Sequence, residues 1–483
     1  MHGFHASGKI VLIVILIGLR IPACAYAFDW APFFAVEKDA HDRLEWLAMG
    51  PLSERSAQGT ESSENVLLAL PRPFYCRFSK DAGRVQGWDF LWPLAFGRSG
   101  EGGGYQYALL FFHTQKDSSS QTDAGRERWW LPPVFFYGHA DDAGHHLGIF
   151  PIAGKVHDIA GYDRISWLLF PLYASNRKSD VKSRSFLWPV FGQASGPKLT
   201  KWRVFPLYGV RTTPTKERQF ILWPFVHTAT DYRPDRGQIG SGFFIFPLAG
   251  HYRGKPDPDA PSYRMWTFLW PFFSGYRQSE QFRYHLPWPF YQHARQKTND
   301  GYTTKTYLWP FYGSANRPQR QYWFSLWPVL QSWKRQTESG TAERFWFLPF
   351  YWSSKRTEQN QVAARTTHIW PFTGYIQADD QVRFWAPAPW YKATGDGITR
   401  NYAPFWRLYT YARNGAKRQH QLLWGLWQYQ TGPQELEASL FPVFNYHRSG
   451  LEKEWSILKG LLGQQTDTES GKSSLRMLWF LKW

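Results

Sequence analysis

A short apolar block centred on a proline recurs about every 18–22 residues through almost the whole chain, and a period of that size marks a repeat architecture. It reads Leu91-Trp92-Pro93-Leu94, Ile149-Phe150-Pro151-Ile152, Leu169-Phe170-Pro171-Leu172 and Leu187-Trp188-Pro189-Val190. It continues as Val204-Phe205-Pro206-Leu207, Leu222-Trp223-Pro224-Phe225, Ile245-Phe246-Pro247-Leu248 and Leu269-Trp270-Pro271-Phe272. Then come Leu308-Trp309-Pro310-Phe311, Leu326-Trp327-Pro328-Val329, Ile369-Trp370-Pro371-Phe372 and Leu440-Phe441-Pro442-Val443, with looser copies at Pro132, Pro289, Pro349, Pro389 and Pro404. A proline in every block argues against helix, because it removes a hydrogen bond and its ring clashes with the preceding turn. The aromatic and branched residues around the prolines favour strands.

Each block sits between polar stretches. From Ser183 to Ser195 an apolar centre, Phe186 to Phe191, is flanked by polar residues; the next copy runs from Lys201 to Thr212, and Gly196-Pro197-Lys198 between them is a turn signal. With the block as strand centre, the chain reads as an all-β antiparallel meander of about 20–22 strands, each of roughly ten to twelve residues. Strands of that length, tilted by about 45°, cross a bilayer. The expected fold is therefore a closed transmembrane β-barrel over residues 81–483, with a wound soluble β-shell or solenoid as the alternative. Residues 28–80 form a less regular N-terminal segment with degenerate copies, and Ser53 to Asn65 reads as a long loop.

The chain has 483 residues, 19% of them aromatic, a formal charge of +18 and two cysteines. Aromatic residues at that density bury large areas and exclude a disordered chain, and the unbroken repeat favours one continuous body. Residues 1–27 read as a secretory signal: Lys9, the apolar run Ile10 to Leu19, then Ala25-Tyr26-Ala27 as cleavage site. A membrane anchor and lipidation at Cys24 are the alternatives. After cleavage Cys76 is the lone thiol, so no internal disulfide staples the fold. No other run reaches the apolar length of a membrane helix, which leaves a soluble exported protein or a closed barrel.

Basic residues recur a few positions before and after the prolines. With alternating strand direction, both rims of the sheet should be basic. The candidates for an anion-binding collar are Arg184, Lys201, Arg211, Arg253, Arg277, Arg295, Lys305, Arg317, Arg344 and Arg383. Ordinary solvation of turns is the competing reading.

Two features strain the strand-centre reading. A proline inside a strand removes a ladder donor. Glycine three residues later (Gly154, Gly192, Gly209, Gly250, Gly313, Gly374) points to a bulge or kink there. Phe268 to Phe273 is also apolar on both faces, where a porin strand would alternate. That favours the wound shell.

At the C-terminus Leu475, Met477, Trp479, Leu481 and Trp483 alternate on one face. This ending resembles the C-terminal assembly strand of bacterial outer-membrane β-barrels. The resemblance covers those few residues and implies outer-membrane residence.

Sites of chemistry are sparse. His139, Asp141, Asp142, His145 and His146 gather in one segment, with metal binding and an ordinary polar turn as the two readings. Glu101-Gly102-Gly103-Gly104 and Gly471-Lys472-Ser473 lack the context of a phosphate loop, and Asp379-Asp380 falls in a turn. Export argues against nucleic acid as partner. The expectation is a non-enzymatic pore or export conduit in the bacterial outer membrane, favouring anionic solutes or glycans, with no catalytic residues, metal or cofactor. Its partners would be outer-membrane lipid or lipopolysaccharide and an anionic glycan or solute. The alternative is a soluble periplasmic or surface protein that binds or scaffolds an anionic polysaccharide.

Overall fold

The proline blocks are not strand centres; they are turns. In the computed structural model Tyr173–Lys178 and Val181–Phe186 are strands joined through Ser179-Asp180, and the chain then reverses through Leu187-Trp188-Pro189-Val190 into Phe191–Gly196. Pro197-Lys198 leads to Leu199–Val204, and Phe205-Pro206-Leu207 leads to Tyr208–Thr213. Two kinds of reversal thus alternate, one apolar and one polar. The structure describes residues 28–482 except 39–43, 57–63, 81–82, 117–124, 141–143, 300, 360, 391–395, 470 and 479–480. The leader, Cys24, Asp141, Asp142, Trp479, Trp483 and most of the expected 53–65 loop lie outside the described residues.

The turn placement follows from proline chemistry. A cis X-Pro bond at the third position of a four-residue turn gives a compact reversal, with the first carbonyl accepting from the fourth N–H. Trp188-Pro189 is cis, and the Val190 N–H donates to the Leu187 carbonyl at 2.8 Å. Leu169–Leu172, Leu222–Phe225, Leu269–Phe272 and Leu326–Val329 close in the same way. At this position the missing proline N–H costs no ladder bond. Neighbouring turns also bond to one another: the Leu187 N–H donates to Leu172 O and the Trp188 N–H to Pro171 O. The ladder therefore runs on into the rim.

Because each block reverses the chain, the strands are half as long and about twice as many as expected. Among the described residues the sheet has 46 strands. Each pairs antiparallel with the next in chain order, from Phe28–Trp30 with Phe34–Lys38 to Ser473–Met477 with Leu481–Lys482. Most have six residues; the longest, Gly237–Ile245 and Gln361–Ile369, have nine. Residues 28–80 carry the same meander, through strands such as Leu44–Ala48 and Tyr75–Lys80. The C-terminal segment is not one strand, because the chain folds back so that Met477 lies opposite Leu481. Pro389 and Pro404 also depart from the repeat. They flank and enter a short helical insert, Asp396–Asn401 and Ala403–Trp406, between strands Gln381–Ala386 and Tyr409–Asn414. Among the described residues no helix is long and apolar enough to cross a membrane, which says nothing of crossing by strands.

The glycines that follow the prolines are not bulges. Register shifts fall elsewhere, at Val66/Leu68, Asp231/Tyr232 and Arg356/Thr357. The glycines make room for a ring from the paired strand. A Cβ on Gly374 would stand 2.2 Å from Trp385 ring atoms, and one on Gly209 would stand 2.3 Å from Phe220. Trp167 covers Gly154 and Phe324 covers Gly313 in the same way, while Gly192 receives Arg203 and Gly250 receives Phe244. These rings give a thin sheet its buried points: Phe324, Trp167 and Trp385 are nearly inaccessible.

The ladder does not close on itself among the described residues, since the first and last strands each have one neighbour. Side chains nevertheless join early and late parts of the chain. Asp89 accepts from Arg400 and Asn401, the Tyr402 hydroxyl donates to the Trp92 carbonyl, and Trp30 and Phe33 pack on Phe441.

Candidate functional site: an apolar rim and a cationic rim

Alternate reversal sorts the sequence by chemistry. All the proline turns between strands lie along one edge of the sheet and all the polar turns along the other. Opposite residues share a face and successive residues alternate, so the strand register reads out each face as rows. Next to the proline turns, one face carries an almost wholly apolar row: Tyr173, Phe186, Phe191, Val204, Tyr208, Ile221, Val226, Ile245, Ala249, Phe268 and Phe273. We call this the open face. The turns themselves stand clear of the sheet, with Leu207 56%, Trp223 48% and Phe372 67% exposed. One row farther from the rim, Trp202, Phe243 and Trp266 are interleaved with polar residues and remain exposed.

The expected basic collar forms on one rim rather than two. Residues equally far before and after a proline, to within one position, are brought opposite each other, so both end on the side away from it. Lys201 and Arg211, each five positions from Pro206, are register partners. Arg211 then faces Arg218, one of the basic residues that precede a proline but not one of the ten candidates. On the open face Arg253 faces Arg264, which faces Arg277; Phe282 separates Arg277 from Arg295. Arg264 was passed over by the sequence reading, although its near-mirror relation to Arg277 across Pro271 is a usable signal.

The other face, which we call shielded, carries the contacts over the glycines that follow the prolines by three residues. There Arg317 faces Arg320, which faces Arg335, and Arg344 is opposite Trp333. Lys305 lies on the same face, donating to Gln292 and resting over the Tyr307 ring. Arg383 is opposite Ile376 and Ala412, and Arg184 stands alone between Ser175 and Gln193 on the open face. Seven of the ten candidates thus lie toward the polar turns, whereas Arg184, Lys305 and Arg344 lie mid-strand and slightly nearer the proline turns, and the ten are divided between the two faces.

Like charges directly opposite in a sheet oppose folding. Two unit charges about 5 Å apart repel by roughly 0.8 kcal/mol even in bulk water. Some rim charges are balanced. Arg218 pairs with Asp231 at 2.6 Å and Lys334 with Glu343 at 2.9 Å. Arg233 and Arg236 both bond Asp257, and donation by Arg233 holds that carboxyl below the usual aspartate range. Others are crowded without compensation. Lys201 is pulled below the ordinary lysine range, first by burial and then by Arg203 and Arg211.

No protein-family model matches the chain, and no curated protein matches its sequence.

The histidine segment does not converge. His139 and His145 are opposite one another with ring centroids 4.3 Å apart, so His146, the next residue, points to the other face. Among the described residues no three His, Cys, Asp or Glu side chains gather to hold a metal ion. Glu101-Gly102 is a polar-rim turn, and Asp379-Asp380 is another. Cys76 is buried and unpaired.

Proposed function

We propose that this chain is a non-enzymatic membrane protein whose proline-turn rim enters the hydrocarbon of one leaflet while its cationic rim stays at the level of the lipid phosphates. The observation that carries this reading is the separation itself. Exposed Leu, Trp and Phe line one edge and the adjoining row of the open face, and the arginines line the other edge. Soluble monomers rarely expose contiguous apolar patches beyond a few hundred Å². Fully burying one such side chain is worth about 1.5–3 kcal/mol, and each turn offers two or three. Each basic residue near an anionic surface adds about 1 kcal/mol.

Dimensions favour seating in one leaflet over crossing. The turn and the first three strand residues reach about 13 Å at ~3.3 Å per residue. That is close to half of the ~30 Å hydrocarbon thickness, whereas a crossing strand takes about 9–11 residues. The lipid partner on this reading is an anionic leaflet of the outer membrane, phospholipid or lipopolysaccharide.

Flotation with phosphatidylglycerol vesicles tests the proposal. The chain should rise with the vesicles, and lipids brominated along the acyl chain should quench its tryptophan emission. Replacing Trp188, Trp223, Trp270 and Trp327 by leucine should remove much of the quenching while flotation persists. A chain that stays at the bottom of the gradient, or emission indifferent to bromine, rejects it.

A closed barrel acting as a pore or export conduit for anionic solutes or glycans is the second reading. It is favoured by the contact of Asp89 with Arg400, which brings the wall back toward its own beginning. Anion-selective conductance across a planar bilayer tests it, and a silent bilayer containing inserted protein counts against it.

A further inference from the structure

On the shielded face, at the cationic rim, three adjacent strands place arginines side by side. Arg317 is opposite Arg320, and Arg320 is opposite Arg335. Arg344 lies on the same face one strand farther on, opposite Trp333, which is two residues from Arg335. None of the four makes an ion pair among the described residues, and the nearby Glu343 is paired with Lys334 on the opposite face. All four line a depression of about 440 Å³. Tyr322 and Trp333 form its wall, stacked at 5.2 Å between ring centroids.

An uncompensated row of like charges across a sheet is unfavourable by itself and becomes favourable when an anion lies along it. Guanidinium groups match phosphate oxygens through paired donors, so several in a row select several phosphates or one multiply charged group. The two stacked rings beside them offer a flat apolar surface of the kind on which sugar rings lie. We propose that Arg317, Arg320, Arg335 and Arg344 hold the phosphates of a phosphorylated saccharide whose sugar packs against Tyr322 and Trp333. The same chemistry is offered by a free glycan phosphate and by a phosphorylated glycolipid headgroup. The site does not depend on the leaflet seating, because it lies on the other face and at the polar rim.

The test is titration of the full chain in detergent, read by calorimetry and tryptophan fluorescence. Glucose 1,6-bisphosphate should bind at least tenfold more tightly than inorganic phosphate, glucose should not bind, and affinity should fall steeply with added salt. Arg320→Gln with Arg335→Gln should weaken binding at least tenfold while raising the melting temperature of the unliganded chain, because repulsion is relieved. Arg264→Gln, on the open face and outside the depression, should leave binding unchanged. Trp333→Leu should lower the preference for the sugar phosphate over inorganic phosphate. Vesicles carrying a phosphorylated glycolipid that compete with glucose 1,6-bisphosphate would show that the site accepts a headgroup; vesicles that do not compete would assign it to free glycan. Equal binding by the arginine double variant, or equal affinities for glucose and its bisphosphate, overturns the proposal whatever the flotation result.

Discussion

Arg400 donates through Nε to Asp89 Oδ2 at 2.8 Å, joining residues 311 positions apart. Asp89 is fully buried; it also accepts from Asn401 at 2.6 Å and from Arg98 at 2.7 Å. The Arg400 guanidinium lies 3.5 Å from the centre of the Phe78 ring. The helical insert around Arg400 interrupts the meander where it meets the early strands, so the insert acts as a clasp between two parts of one long sheet.

Asp89→Ala should be among the most damaging single changes in the chain. Removing one partner of a buried pair leaves the other charge stranded, at a cost of about 3–5 kcal/mol. Combining it with Arg400→Met should recover part of that loss, since the more deeply buried of the two arginines stranded by the change is removed while Arg98 remains. Denaturant unfolding of the two variants checks both statements.

Gly374→Ala should destabilise by about 1–3 kcal/mol, the usual cost of overfilling a packed site. The new Cβ would meet Trp385 ring atoms at 2.2 Å, and the ring has nowhere to move without leaving its buried position. Near-ultraviolet circular dichroism should report the displaced indole, and thermal unfolding should give the cost. A variant that unfolds like the parent would show that the ring does not need the gap.

Much of the architecture is legible in the chain. Strand-forming residues, prolines that forbid helix, and polar turns such as Pro197-Lys198 point to the all-β antiparallel meander that the structure has. The position of the apolar blocks is not read correctly from hydropathy, because an apolar run usually marks the buried middle of a strand. Here it marks an exposed reversal. The contrary signal lies in the prolines themselves and in the symmetry of Lys201 and Arg211 about Pro206. A strand centre gives no reason for that symmetry, whereas a hairpin turn requires it. Reading it would have doubled the strand number and moved the two basic rims onto one.

The clasp is another matter. Neither Asp89 nor Arg400 differs locally from other rim charges, and nothing in the periodicity links them. Their pairing depends on how the sheet curves over some thirty intervening strands, and short-range patterns carry no record of accumulated curvature. The arginine row at Arg317, Arg320 and Arg335 lies between these extremes. Arg317 is visible as a rim charge, but its neighbours emerge only once the strand register is known.

Acid should loosen the segment around Asp257. Its carboxyl titrates below its unfolded value because Arg233 and Arg236 bond the charged form. The stabilisation is therefore present above the unfolded value of about 3.9 and is lost as pH falls through the folded value. The difference in unfolding midpoint between the chain and its Asp257→Asn variant should be constant above about pH 5 and disappear toward strong acid. A difference that persists at the lowest pH would mean that the ion pairs contribute nothing.

Charging the apolar rim separates lipid seating from folding. Leu207, Leu222 and Leu248 stand more than half exposed at three successive proline turns, so each tolerates a polar end group in the folded sheet. Leu207→Glu, Leu222→Glu and Leu248→Glu together should leave thermal unfolding in detergent within about 0.5 kcal/mol per site, as is usual for exposed positions. In lipid the same changes place three carboxylates where the acyl chains would be, and each costs several kcal/mol to desolvate. Partition into phosphatidylglycerol vesicles should fall by well over a hundredfold. Three glutamates at the opposite edge, replacing Ser195, Thr212 and Ser241, should act only through charge, lowering partition less and in a manner that salt suppresses. Equal losses from both triple variants would mean that charge, and not the aromatic rim, holds the chain to lipid.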